Sequence, residues 1–188
     1  DLHTRMLTAR YQEDERPEIG IDEAGRGSFW GPLMAGAVCL PPVSEWTDAH
    51  RAVFLGVRDS KKLSPKKRGA LALSLRELLG TQCAVGSVSA EEINRHGVTW
   101  ANREAFRRAI QGVGGSAETH RLLIDGTLAI DDWKGDQHVI IEGDGTYLAI
   151  AAASILAKEE HDAFICAYAE TDPECEARYH IVSSKGYG

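Results

Sequence analysis

Four acidic side chains stand where apolar segments of this sequence give way to turns. They are Asp22, Glu23, Asp125 and Asp144. Acids at the ends of neighbouring strands and at a helix start can converge at one edge of a sheet, even when they lie far apart along the chain. Carboxylates grouped in this way repel one another unless a cation compensates. Because all the ligands would be hard oxygens, we interpret them as a candidate site for Mg²⁺ or Mn²⁺ rather than zinc.

Each acid also has a simpler interpretation, and the sequence leaves both open. Asp144 precedes an alanine-rich segment and would serve as the N-cap of a helix that begins there. Asp125 and Gly126 are typical turn residues. Asp22 and Glu23 point to opposite faces of a regular strand, so both reach one site only if the strand twists or ends there.

A glycine-flanked arginine follows the first pair of acids. Gly25 and Gly27 free the backbone on both sides of Arg26 to approach a ligand closely. A metal beside such a loop suggests an anionic substrate.

A basic run begins at Lys61 and Lys62 and continues at positions 66 to 68, where a helix is expected to start. It is either a solvated helix start or a phosphate-binding segment. Positive charge is unfavourable at a helix N-terminus, which favours the second interpretation. The seven histidines are dispersed without ligand spacing, and we expect structural or surface positions for them.

The positions that carry these residues require a sheet and several helices. Apolar segments predict strands at residues 18–22, 33–40, 52–57, 83–88, 121–125 and 138–141. The first three are consistent with an antiparallel meander. Helices are predicted at 65–80, after a capping box at 89–92, at 98–111 and from 148 to about 169. Small residues at 151–154 would let the last helix pack closely on the sheet. This order predicts one α/β domain over residues 1–188, a mixed sheet flanked by helices.

The composition is that of a soluble globular protein, with 43% hydrophobic and 26% charged residues in 188. The net charge of −7 weighs against a generic nucleic-acid-coating surface. We find no membrane span and no signal peptide, so a cytoplasmic location is expected. The four cysteines lack metal-site spacing and are expected to be reduced thiols.

Five segments together resemble the ribonuclease HII family, the type 2 ribonucleases H. In chain order they are GIDEAGRG at 20–27, DSKKLS at 59–64, LIDG at 123–126, GD at 143–144 with IAAASI at 150–155 and AK at 157–158, and KGYG at 185–188. The order is that of the family, and the segments span residues 20 to 188. Five ordered matches are far more specific than any one of them.

The resemblance implies a ribonuclease H-like fold with a C-terminal helical segment, in which Asp22, Glu23, Asp125 and Asp144 are the catalytic, metal-binding acids. It further implies that Gly25, Arg26 and Gly27 recognise the ribonucleotide at the cleavage point and that Tyr187 stacks on a nearby sugar. The 2′-hydroxyl is the group that separates RNA from DNA there. The type III enzymes carry a different residue in place of the loop arginine, which argues against them.

The activity implied is hydrolysis of RNA/DNA hybrids and cleavage 5′ to single ribonucleotides in duplex DNA, leaving 3′-hydroxyl and 5′-phosphate ends. We expect two-metal-ion catalysis with Asp22 as the shared ligand. Alternatives are a catalytically silent nucleic-acid-binding module on the same fold and a related enzyme on that fold, such as a DNA-directed nuclease or a transposase-like domain. We expect a monomer, with a sliding clamp as a candidate partner through a C-terminal tail beyond Gly188.

Overall fold

A five-stranded mixed sheet organises the chain in a computed structural model, which describes residues 5–26 and 31–168. The strands are β1 Glu18–Ala24, β2 Leu33–Cys39, β3 Cys83–Val88, β4 Arg121–Asp125 and β5 Gln137–Ile140. Their order is β3-β2-β1-β4-β5. β2 is antiparallel to β1 and β3, whereas β4 runs parallel to both β1 and β5. The predicted mixed sheet is confirmed.

Helices cover both faces of the sheet. They are α1 Asp48–Gly56, α2 Pro65–Leu79, α3 Ala90–His96, α4 Val98–Gly112 and α5 Leu148–Tyr168. One apolar core lies between α4 and the sheet, and a second joins α1, α2 and α5 to the other face. The predicted C-terminal helical segment is confirmed by α5. Within the described ranges, no helix is both long and apolar enough to cross a membrane.

The segment predicted as a strand at residues 52–57 is instead the second half of α1, so the predicted meander was wrong in its third member. Thr47 caps this helix: its hydroxyl accepts a hydrogen bond from the His50 backbone N–H, and the His50 ring accepts one from the Thr47 N–H. Reciprocal capping fixes a helix start. The third antiparallel strand is β3, which pairs with β2 after two helices have intervened.

Two glycines allow α5 to lie directly on the sheet. A Cβ built on Gly36 would stand 2.1 Å from the carbonyl oxygen of Ala153, and one on Gly20 would stand 2.3 Å from the carbonyl carbon of Ala149. No side chain fits between these backbones. The predicted close packing of the alanine-rich helix is therefore confirmed, and it brings the next residue, Ser154, close to the edge of the sheet where β1 ends.

A buried arginine joins the opposite, N-terminal ends of the parallel strands. Arg121, the first residue of β4, is 2% exposed. Its guanidinium donates to Glu18 at the start of β1 over 2.8 Å, to Asp136 just before β5 over 2.7 Å, and to Asp14. Buried charge is tolerated where it is paired and hydrogen-bonded in this way. Acids at this end of the sheet are compensated within the protein.

Three of the four cysteines lie in the described ranges. Cys39 and Cys83 are free thiols, whereas Cys166 in α5 is disulfide-bonded. The expectation of reduced thiols was therefore wrong for Cys166.

Candidate active site

The register of the parallel strands places two of the predicted acids side by side. Ile21 of β1 is opposite Ile124 of β4, so the next position on each strand holds Asp22 and Asp125. Because side chains alternate along a strand, both carboxylates leave the sheet on the same face. Asp22 is 7% exposed, and its Oδ1 accepts the backbone N–H of Glu23 over 2.8 Å.

Asp144 reaches the same point from a tight turn rather than from a helix N-cap. It is the middle residue of a single 3₁₀ turn, Gly143–Gly145, and α5 begins only at Leu148. Glu142, just before the turn, has a positive φ of 55°. The Asp144 backbone N–H points to Asp125 Oδ1 at 3.4 Å. The capping interpretation of Asp144 was therefore wrong, and the turn directs its carboxylate to the strand ends.

Asp22, Asp125 and Asp144 form one carboxylate cluster, in which an oxygen of each lies within 4.8 Å of the others. Burial, reinforced by the charge of Asp125, raises the pKa of Asp22 to about 8. Burial also raises the pKa of Asp144, with further contributions from the charges of Asp125 and Asp59. Ionisation of Asp22 and Asp144 is therefore unfavourable in the metal-free cluster.

Glu23 lies beside the cluster but is not one of the three grouped acids. It borders the same cleft, and burial raises the pKa of its carboxyl, opposed by the charge of Arg26. Arg26 Nη1 stands 3.4 Å from Glu23 Oε1. Glu23 Oε2 is buried without a hydrogen-bond partner among the described residues. Successive side chains of a regular strand point to opposite faces of the sheet, which explains why Glu23 does not join Asp22 in the cluster.

The donor set fits a hard divalent cation. All the candidate ligands are carboxylate oxygens, which suit Mg²⁺ and Mn²⁺. Repulsion within the carboxylate cluster and the unpaired Oε2 of Glu23 would both be relieved by a cation. No histidine or cysteine joins the cluster within the described ranges.

The cleft that contains these acids has a volume of about 680 Å³ and also carries positive charge. Lys61 Nζ lies 3.6 Å from Asp144 Oδ2 and equally far from Asp59 Oδ2, although its side chain is 76% exposed. Arg26, next to Gly25, also lines the cleft. Lys62 is exposed but does not border the cleft. Thus the structure brings only the first of the two predicted lysines to the acids.

Helix α5 supplies three cleft residues that the sequence interpretation did not propose as site residues. Ser154, Lys158 and His161 recur at intervals of four and three and so share one helix face. The Ser154 and Ser60 hydroxyls are hydrogen-bonded over 2.9 Å, and a hydrogen bond from Ser154 helps to offset the raised pKa of Asp22. The helical spacing was the available signal. Gly27 and Tyr187, both predicted to bind substrate, lie outside the described residues.

Comparison with known proteins decides the family. The family model described as Ribonuclease HII matches residues 19–188. The chain belongs to the ribonuclease HII family. A curated ribonuclease HII from Synechococcus sp. (strain WH7803) is 39% identical over 170 residues, which cover 90% of this chain and 82% of that protein.

Solved structures agree with this assignment. The ribonuclease HII in the PCNA:RNase HII complex from Archaeoglobus fulgidus superposes with a TM-score of 0.63 and 25% identity, covering 92% of this chain and 91% of that one. Bst-RNase HIII in complex with Mn²⁺ has a TM-score of 0.62 at 19% identity, covering 92% of this chain and 63% of that one, and shows a shared fold. As a member of the ribonuclease HII family, the chain is a ribonuclease H, and the predicted family, fold class and enzyme class are confirmed.

Proposed function

We propose that this ribonuclease H hydrolyses the RNA strand of RNA/DNA hybrids and also cuts 5′ to single ribonucleotides embedded in duplex DNA, leaving 3′-hydroxyl and 5′-phosphate ends. The observation that carries the proposal is the carboxylate cluster on β1, on β4 and in the turn before α5. Basic side chains line the same cleft, and the chain belongs to the ribonuclease HII family.

Asp22, Asp125 and Asp144 would hold divalent cations, with Glu23 completing the set from the adjacent position of β1. Mg²⁺ or Mn²⁺ is the proposed ion, two per site, and an Mn²⁺ complex of the structurally similar Bst-RNase HIII supports this choice. Such ions supply activation of the attacking water and stabilisation of the leaving 3′-oxygen. Asp22 is the proposed shared ligand because its carboxylate is buried and is hydrogen-bonded from two sides, by the Glu23 N–H and by Ser154.

The remaining cleft residues position the substrate. Lys61, near Asp144, and Arg26, near Glu23, would bind phosphates of the cleaved strand, and Lys62 would add charge outside the cleft. The backbone of Gly25 is exposed to the same cleft and lies where a sugar edge could approach. Gly27 and Tyr187 are proposed to contact the same ribonucleotide on the ground of the family resemblance.

A sliding clamp is the proposed protein partner, because a related ribonuclease HII from Archaeoglobus fulgidus forms a complex with PCNA. A monomer remains the prediction for the free protein, a single domain for residues 1–188, and the cytoplasm for its location.

The test is cleavage of three matched duplexes: all DNA, DNA with one ribonucleotide, and an RNA/DNA hybrid. With Mg²⁺ we expect cutting of the last two, with the embedded ribonucleotide on the 3′ side of the nick, and no cutting in chelator. Asp22→Asn should abolish cleavage, while Asp131→Asn, a carboxylate on the surface and outside the cleft, should leave it unchanged.

Binding without Mg²⁺-dependent cleavage would contradict the proposal and indicate a silent binding module. Equal cutting of the all-DNA duplex would indicate a DNA-directed nuclease instead. Full activity of Asp22→Asn would contradict the proposed role of Asp22 as the shared metal ligand.

A further inference from the structure

His161 is a buried histidine in the wall of the cleft. It lies on α5 seven residues after Ser154, on the helix face that borders the carboxylate cluster, and is 8% exposed. In the sequence it is distant from all three clustered acids. A buried imidazole in a substrate cleft calls for an account of both ring nitrogens.

One edge of the ring faces a carboxylate that is itself held in place. Nδ1 lies 4.0 Å from Asp162 Oδ1, so this edge of the ring faces the carboxylate at a separation too long for a direct hydrogen bond. Arg68 Nη2 contacts the other oxygen of Asp162 at 2.5 Å, and Lys158 Nζ lies 3.1 Å from Oδ1. The ring is therefore oriented by a carboxylate that α2 and α5 fix together.

The other edge faces the loop that follows the first acids. Nε2 is buried and has no hydrogen-bond partner among the described residues. A Cβ built on Gly25 would stand 2.5 Å from Nε2, so the glycine backbone lies directly against the ring. Gly25 has a φ of +95°, a conformation that side chains rarely adopt. The loop thus passes over the imidazole at a point where only glycine fits.

A buried polar atom without a partner is unfavourable and calls for a specific explanation, of which a functional role is one. We infer that His161 is a positioning residue: its Nε2 hydrogen-bonds the backbone of the Gly25–Arg26 loop in the substrate-bound enzyme and so holds Arg26 over the cleft. Through that loop, His161 sets the preference for a duplex that contains a ribonucleotide. This inference rests on the proposed function.

Two substitutions separate the hydrogen bond from packing. His161→Gln carries an amide to the position of Nε2, whereas His161→Leu fills a similar volume without a polar atom. The measurement is the ratio of dissociation constants for the all-DNA duplex and the same duplex with one ribonucleotide, by fluorescence anisotropy in chelator. We expect His161→Leu to lower this ratio about tenfold, the factor that about 1.4 kcal/mol represents, and His161→Gln to stay near the wild-type ratio.

Kinetics provide the second readout. In Mg²⁺, His161→Leu should raise KM for the embedded-ribonucleotide duplex more than it lowers kcat, since the carboxylate cluster is untouched. His96→Leu, exposed at the end of α3 and away from the cleft, is the matched control. If His161→Leu does not fold, as judged by thermal unfolding, His161→Asn replaces it, because its amide is too short to reach Gly25.

The outcomes distinguish this inference from the proposed function. A wild-type protein that does not cut the embedded-ribonucleotide duplex in Mg²⁺ contradicts the proposed function. A wild-type protein that cuts this duplex but binds it no more tightly than the all-DNA duplex overturns the role of His161, because there is then no binding preference for the loop to set. A wild-type protein that discriminates, together with a His161→Leu variant that discriminates equally well, overturns the role of His161 alone. Loss of discrimination in His161→Gln to the level of the leucine variant also overturns it.

Discussion

Removing the charge of Asp22 should stabilise the metal-free protein while it abolishes activity. Burial and the neighbouring acids raise the pKa of Asp22 from its ordinary 3.8 to about 8. Between these values the folded state holds a proton that the unfolded state has released, so the free energy of unfolding falls as pH rises. The stabilising contribution is complete below about pH 4 and is lost as pH rises to about 8.

The size of the effect follows from that pKa difference. About four pH units correspond to roughly 5 kcal/mol at pH 8, since each unit is worth about 1.4 kcal/mol. Asn keeps the Oδ1 that accepts the Glu23 N–H, but burying its amide offsets part of the gain. We therefore expect Asp22→Asn to raise the free energy of unfolding by about 2 to 3 kcal/mol at pH 8 in chelator.

Urea unfolding at pH 5, 6.5 and 8 measures the difference directly. In chelator, the gain of Asp22→Asn over the wild type should shrink steadily towards pH 5. Saturating Mg²⁺ should narrow or reverse the gain at pH 8, because a ligand that binds only the folded wild type stabilises it. The control is Asp131→Asn, whose carboxylate is 75% exposed and should show no such pH dependence. A variant no more stable than the wild type at pH 8, or a gain that does not change with pH, would refute the reasoning.

Two further predictions concern the helix contact and the cleft charge. Gly36→Ala should lower the free energy of unfolding by about 1 to 3 kcal/mol, because its Cβ would meet the Ala153 backbone. Gly56→Ala, which meets only one side-chain atom at 3.4 Å, should change it by less than about 0.5 kcal/mol in the same denaturant titration. Lys61→Ala should weaken duplex binding and reduce the slope of log Kd against log salt by about one, the value of one phosphate contact. Lys62→Ala is the control, because Lys62 does not border the cleft. An equal change in its salt slope would show that a position in the cleft is not what makes Lys61 contact a phosphate.

The sequence predicted which acids lie at the site, but it did not predict how they are arranged in space. Asp22 and Asp125 close apolar segments, which predicted a strand end at each. β4 does end at Asp125, whereas β1 continues two residues beyond Asp22 to Ala24. Their adjacency depends on β1 and β4 being parallel and in a particular register, which no local pattern encodes. The same alternation that joins these two explains why Glu23 stands apart.

Elements set by local chemistry were predicted, and those set by packing were not. Ser64 and Ser89 mark helix starts that the structure reproduces. The apolar run at 52–57 is short enough to fit either a strand or part of a helix. The capping hydrogen bonds of Thr47 and His50 start a helix that includes most of it. His161 was assigned to structural or surface positions because its role depends on Gly25, 136 residues earlier in the sequence. Only the folded chain brings the two together.

The contrast between the two ends of the parallel strands has a consequence for hydrogen exchange. At their N-terminal ends, Arg121 neutralises Glu18 and its neighbours from within the protein. At their C-terminal ends, the proposed divalent cation would compensate Asp22 and Asp125. In chelator, β1 is therefore expected to open from its C-terminal end, so that amide protection declines along a single strand. Added divalent ion should make amide protection more uniform along β1. Hydrogen exchange in this strand would then report metal binding even in a variant that cannot cleave.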